Sequence, residues 1–449
     1  MKDFTEGSIA KQIILFSVPM LIGNMFQQLY SVVDMVVVGR YVSGEALASI
    51  GVSLSLINFI LASLIGLTTG ASVVISQFFG AKEYEKLKLT VSVSITVLLG
   101  IALVLAFVGI AFAPAFLRLL NTNEDIFDGA VIYMRIAMGG VVFPLFYNMY
   151  TAYMRALGDS RRPLYFLICA TSLNIVLDLF FVIKLNMGVA GAAIATIIAQ
   201  MISAVLCFIY ANRKMEFLQV RKLQFDNVLF KLIFKYGAPA MMQFSLTTFA
   251  QLTITRLINS FGSVAMAGIT AANRIDQFAT MPVSNLSAAL STFAAQNMGA
   301  GLEERARKGF RTVLLLMLAC SFLVSGVIMV YGNQLISIFL NQGDVNTPEI
   351  LRIGGQNLNI MVRFYFLFVF LFVFNGFFRG VGDAVIAMVL PVFSLFLRVM
   401  SAYGLVRFAG MGPEALAWSI GVGWGLSGLA GFIYYKKRLW VGKVATNRS

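Results

Sequence analysis

KQIILFSVPMLIGNMFQQLYSVVDMVVVGR, residues 11–40, decides the fold. Between Lys11 and Arg40 only Asp34 carries a charge, and crossing a hydrocarbon core of about 30 Å takes about 20 apolar residues. The run has no short apolar core ending in a small-residue cleavage site, so we read it as a retained helix rather than a removed signal peptide. The same character fills the chain. Of 449 residues, 59% are hydrophobic and only 12% charged, against about 25% charged in ordinary soluble domains. With 34 basic and 20 acidic side chains there is too little polar surface to solvate several soluble domains.

Further apolar runs fall near 46–75, 89–113, 131–156, 163–183 and 188–210, then near 232–257, 265–294, 311–334, 353–378, 386–405 and 412–435. The expectation is an all-α integral membrane protein with twelve transmembrane helices. A net charge of +14 raises nucleic acid as a partner, but the basic residues cluster between apolar runs, which is a topology signal. Groups such as Lys82, Lys86 and Lys88, Arg305, Arg307 and Lys308, and Lys436, Lys437 and Arg438 mark one side of the membrane. The other side holds only Arg40, Arg118, Lys184, Arg256, Arg352 and Arg407. Both termini are therefore expected in the cytoplasm. Absence of histidine removes the commonest metal ligand and acid-base group. There is no GxxxxGK[ST] phosphate loop, and Cys169, Cys207 and Cys320 sit in apolar runs, where buried thiols rather than a disulfide framework are the expectation.

The chain also resembles itself. KQIILFSVPM (11–20) faces KLIFKYGAPA (231–240), QFFGAKEYEKLK (77–88) faces QNMGAGLEERAR (296–307), MRALGD (154–159) faces FRGVGD (378–383), and GVAGAAIAT (188–196) faces GPEALAWSI (412–420). These matches share one order and nearly one offset, so two six-helix lobes are expected: an N-terminal lobe at 1–210, a cytoplasmic linker at 211–231, and a C-terminal lobe at 232–449 ending in a short basic tail. Two similar halves about a cleft suit a rocking transporter.

An ionisable group inside a bilayer costs about 2.5–3.5 kcal/mol, so it marks a cavity or a partner. Asp34, Asn174, Asp178 and Thr196 fall at one level of the N-terminal lobe, with Asn174 and Asp178 on one helical face. They suit a shared proton or one Na⁺ ion. In the C-terminal lobe Arg274, Asp276, Arg363 and Arg398 form either a basic substrate surface or an ion-pair network. Pro19, with its counterpart Pro239, deletes a backbone hydrogen bond and is a candidate hinge; Pro144 and Pro282 are expected to act alike. Tyr147, Tyr150, Phe364, Tyr365 and Phe366 are candidates for an aromatic cavity.

SVPMLIGNMFQQLYSVVDMVVVGR, QFFGA with QNMGA, MRALGD and SLNIVLD (172–178) together resemble the multidrug and toxic compound extrusion (MATE) family, most nearly its DinF-like prokaryotic branch. The resemblance spans residues 8–435. It implies a V-shaped, two-lobed antiporter of the prokaryotic inner membrane, not an enzyme, which expels drugs or toxic amphiphiles in exchange for H⁺ or Na⁺. It further implies that Asp34, Asn174, Asp178 and Thr196 couple the ion and that Pro19 is the helix 1 kink. No acidic residue stands on helices 7 and 10, where the NorM-like branch carries them. The expected partners are a small organic compound, cationic, anionic or zwitterionic, and membrane lipid, with no nucleic acid and a monomeric state. A flippase for a lipid-linked or anionic substrate is the alternative within the superfamily.

Overall fold

The computed structural model describes residues 3–220, 222–340 and 345–446, with the side chains of 29–40 outside the description. Fifteen α-helices follow in order: α1 Ile9–Tyr41, α2 Gly44–Gly80, α3 Tyr84–Ala111, α4 Ala113–Leu119, α5 Glu124–Gly139, α6 Val142–Ala156, α7 Arg161–Asp178, α8 Gly188–Lys214, α9 Asn227–Asn259, α10 Ser263–Gly299, α11 Glu303–Ser337, α12 Thr347–Arg363, α13 Tyr365–Val381, α14 Ala384–Ala409 and α15 Ala415–Lys436. A π-helical turn, Leu179–Lys184, extends α7, and a 3₁₀ turn, Glu216–Leu218, lies in the expected linker. Eight helices are long and apolar enough to span a membrane by themselves, and two bent pairs, α5 with α6 and α12 with α13, pass together. The long α9 and α10, which are not among these candidate spans, complete twelve rods.

The repeated motifs turn out to be helix stops. After α2 the left-handed residue is Lys82 (φ 61°), and after α10 it is Gly301 (φ 78°), so QFFGAK and QNMGAG end helices in the same way. In MRALGD and FRGVGD the glycine, Gly158 (φ 81°) or Gly382 (φ 94°), ends one helix. The following aspartate starts the next: Asp159 accepts from the N–H groups of Arg161 and Arg162, and Asp383 from that of Ile386.

The chain separates into two compact units, one of residues 1–3 and 18–244, the other of 4–17 and 245–449. In contact terms the start of α1 belongs with the second half, and the start of α9 with the first. Within the first unit, Gly66 and Gly70 of GLTTG lie against the backbone of Met241 and Gly237 on α9. Within the second, Phe4 is sealed between Phe16 and Phe293. Its N–H donates to Gln296 Oε1 at 3.0 Å, and its carbonyl accepts from Asn297 and from Arg305 Nε. Arg305 also reaches the carbonyls of Glu6 and Gly7.

The helices α1, α9 and α10 run unbroken through Pro19, Pro239 and Pro282. The expected softening at Pro282 is not a break, and the two sharp bends lie elsewhere: 48° between α5 and α6, and 54° between α12 and α13. Pro144 lacks the N–H that would reach the Gly140 carbonyl, which accepts instead from Phe143 at 3.0 Å. The second bend has no proline. It falls at Phe364, which is Gly140 shifted by the 224-residue offset of MRALGD and FRGVGD. Packing at the two bends is reversed. Ile197 of α8 fills the space over Gly140, whereas the Phe364 ring fills the space over Gly421 of α15, the counterpart of Ile197. A Cβ on Gly421 would stand 2.8 Å from the Phe364 ring.

Gly421→Ala should therefore lower the melting temperature of the detergent-solubilised protein, with an overpacking cost of about 1–3 kcal/mol. Adding Phe364→Leu should restore most of the loss, as read by differential scanning fluorimetry. Separately, Arg305→Ala should release the N-terminal arm and speed proteolytic clipping near residues 4–8, with the remainder of the digest unchanged.

Candidate functional site

A cavity of about 500 Å³ opens inside the first unit among α1, α2, α5, α6 and α8. Its wall is mostly apolar, from Ile50, Leu54, Ile57, Leu61 and Ile65 of α2 to Ala193 and Ile197 of α8. Gln27, Asn58, Asn148, Thr196 and Gln200 supply its amides and hydroxyl. A smaller space of about 40 Å³ adjoins it, sharing Gln27, Asn148, Thr196 and Gln200 and reaching Tyr147, Thr171 and Asn174. A mainly apolar chamber with a few fixed polar groups is the usual form of a site for small organic molecules.

Behind this wall the polar cluster assembles. Asn174 and Asp178, one turn apart on α7, are 2% and 1% exposed. With its amide oriented to satisfy both neighbours, Asn174 donates to Asp178 Oδ2 at 2.9 Å and accepts from the Thr196 N–H at 3.3 Å. The Thr196 hydroxyl donates to the Ala192 carbonyl at 3.0 Å. Three of the four expected residues are thus brought together on α7 and α8. Asp34 lies among the side chains outside the description. Asp178 is the last α-helical residue before the π-helical turn, a widening often found at functional sites.

In the second unit the four residues divide. Asp276 of α10 and Arg398 of α14 lie within electrostatic reach in the interior, with the Tyr365 hydroxyl beside the carboxylate. Asp276 Oδ1, Tyr365 Oη and Arg398 Nε make no hydrogen bond among the described residues. Arg274 and Arg363 are exposed and stand outside this group. Of the aromatic candidates, Tyr150 and Tyr365 are core residues, Tyr147 lines the small space, and Phe366 is exposed. Sequence reasoning passed over Gln27, Asn58, Asn148 and Gln200. Their signal was an amide inside an apolar run, with Gln200 one turn beyond Thr196.

The MatE family model matches the chain twice, over residues 19–180 and 239–404, and the chain belongs to that family. The probable multidrug resistance protein YpnP of Bacillus subtilis is 29% identical over 98% of this chain and 97% of its own length. The multidrug export protein MepA of Staphylococcus haemolyticus is 24% identical, over 90% and 91%. Among solved structures, a MATE protein in complex with MaL6 aligns with a TM-score of 0.91 at 23% identity, covering 97% and 98% of the two chains. An outward-facing MATE transporter of the MOP superfamily gives 0.90 at 22%, over 98% of each. The protein is a multi-pass, all-α membrane transporter of prokaryotic type, a secondary-active antiporter that exports small organic compounds by alternating access. It is not an enzyme.

The buried pair gives a test that the cavity does not. Asp276→Leu or Arg398→Met alone removes the opposite charge within electrostatic reach of the other and should lower the melting temperature. The double variant should melt closer to wild type than either single variant.

Proposed function

We propose that export is driven by H⁺ or Na⁺ at Asp34, Asn174, Asp178 and Thr196. The observation that carries this reading is the Asn174 amide, held between the Asp178 carboxylate and the Thr196 backbone on the far side of the cavity wall. An ionised Asp178 only accepts hydrogen bonds. A proton on Oδ2 makes that oxygen a donor, which the Asn174 amide meets only by turning over. Its NH₂ group would then face the Thr196 N–H, donor against donor. A proton on α7 is thereby felt on α8, whose Thr196, Ile197 and Gln200 line the cavity. Na⁺ would instead draw on the carboxylates of Asp34 and Asp178, the Asn174 carbonyl and the Thr196 hydroxyl.

In this reading the protein is a monomer of the DinF-like branch in the cytoplasmic membrane, with both termini inside, and Pro19 lets α1 respond to the ion. The cargo enters the first unit's cavity through apolar contact, as the names of the multidrug relatives suggest. For the purified protein in liposomes, Asp178→Asn and Asp34→Asn should each reduce gradient-driven efflux at least tenfold, and Thr196→Ala less. An imposed pH gradient and an imposed Na⁺ gradient, applied separately, identify the ion. Undiminished efflux in Asp178→Asn would remove the cluster from the coupling step.

A further inference from the structure

α12 is the most sharply two-faced helix of the second unit. Ile350, Ile353, Leu358, Met361 and Val362 are buried, while Arg352, Gln356, Asn359 and Arg363, spaced by four, three and four residues, share the opposite stripe. The stripe lines a pocket of about 490 Å³, completed by Ile360 and Glu414. At 1.5 Å per residue, Arg363 stands about 24 Å along the helix from Thr347. A polar stripe of this kind is costly against hydrocarbon, and here it has a pocket to face instead, which makes a path of polar groups along the helix.

The charges along this path are not equivalent. Arg352 grips Glu349 with two bonds, at 2.6 and 2.9 Å, and also reaches Gln356. Glu414 is held by the Gly412 N–H at 3.0 Å. Inside the unit, Asp276 offsets Arg398. Arg363 is exposed and has no hydrogen bond or ion pair among the described residues. On the neighbouring α10, Arg274 is also exposed, six residues past Gly268, where that helix meets Gly354 of α12, while Arg363 lies nine residues past Gly354. At the 224-residue offset the first unit places Gly139 where the second has Arg363, so this cation is a feature of the second unit alone.

We infer that Arg363 binds an oxyanion, a carboxylate or phosphate group of the exported compound, at the deep end of the α12 stripe. The cargo would then carry an acidic group. A guanidinium offers two parallel N–H donors to such a group, and an ammonium does not. The inference rests on the export reading for what fills the pocket, but it concerns binding and is tested without any gradient.

Equilibrium binding of carboxyfluorescein, an anionic dye, and of ethidium, a cationic one, would be followed by fluorescence anisotropy on the full-length protein in detergent. The expected result is that Arg363→Gln weakens carboxyfluorescein binding at least tenfold and ethidium binding less than twofold. Arg363→Lys should recover part of the loss, and Arg407→Gln, at an exposed position in the last turn of α14 and outside the pocket, should change little. Displacement of the dye by benzoate places the oxyanion on a free solute, and displacement by short-chain phosphatidylglycerol alone places it on a lipid headgroup; either supports the site. Equal loss for both dyes in Arg363→Gln, or no carboxyfluorescein binding by the wild type, overturns it. Efflux under a gradient remains the separate measure of antiport, so binding without coupled efflux would fault that reading and leave the oxyanion site standing.

Discussion

A polar group inside hydrocarbon finds no water, and every unusual residue of this chain answers to that constraint. The backbone answers by forming helices, with glycines and aspartates ending and restarting them at the repeated motifs. The side chains answer in three ways. Asn174, Asp178 and Thr196 satisfy one another across two helices. Asp276 and Arg398 stand within electrostatic reach of each other inside one unit. The α12 stripe finds a pocket to line. Each answer restricts function differently, because a closed network can switch, a buried pair can stiffen, and a lined pocket can bind.

The two units show how a duplicated plan diverges. Both break their fourth membrane rod at the same relative position, yet a proline contributes to one break only. At one, the small residue is on the bent rod and the large one on its neighbour; at the other the sizes are exchanged. Interior volume is conserved while side chains trade places, which is how packed cores tolerate change. The polar inventory was redistributed as well. Asn174 of the first unit corresponds at the 224-residue offset to Arg398 of the second, so an amide in one unit stands where the other has a cation.

Much of this was legible in the sequence because membrane spans need length and apolarity, both of which can be counted. The twelve rods, the repeat and the meeting of Asn174, Asp178 and Thr196 followed from helix direction and rise. The bend at Phe364 did not, since no proline or other local pattern announces it, whereas the one beside Gly140 was signalled by Pro144. Proline did not by itself mark the breaks: α1, α9 and α10 continue as helices through Pro19, Pro239 and Pro282, and only Pro144 sits beside a break. The division of the C-terminal arginines was equally hidden, because Arg363 and Tyr365 are two residues apart and differ only in which side of the bend they occupy. The cavity amides Gln27, Asn58, Asn148 and Gln200 looked like ordinary polar interruptions until the packing placed them on one wall.

The exchange of helix beginnings between the units has a consequence during synthesis. Phe4 leaves the ribosome almost at once, but its hydrogen-bond partner Gln296 follows 292 residues later. At about 5–20 residues per second, that is a wait of roughly 15–60 s. Throughout that interval the start of α1 has none of its final neighbours from α10 and α11, while the first unit is already closing around the rest of the helix. The second unit thus completes itself around the oldest part of the chain, and the ancestral duplication is fastened by a segment that neither half retains for itself.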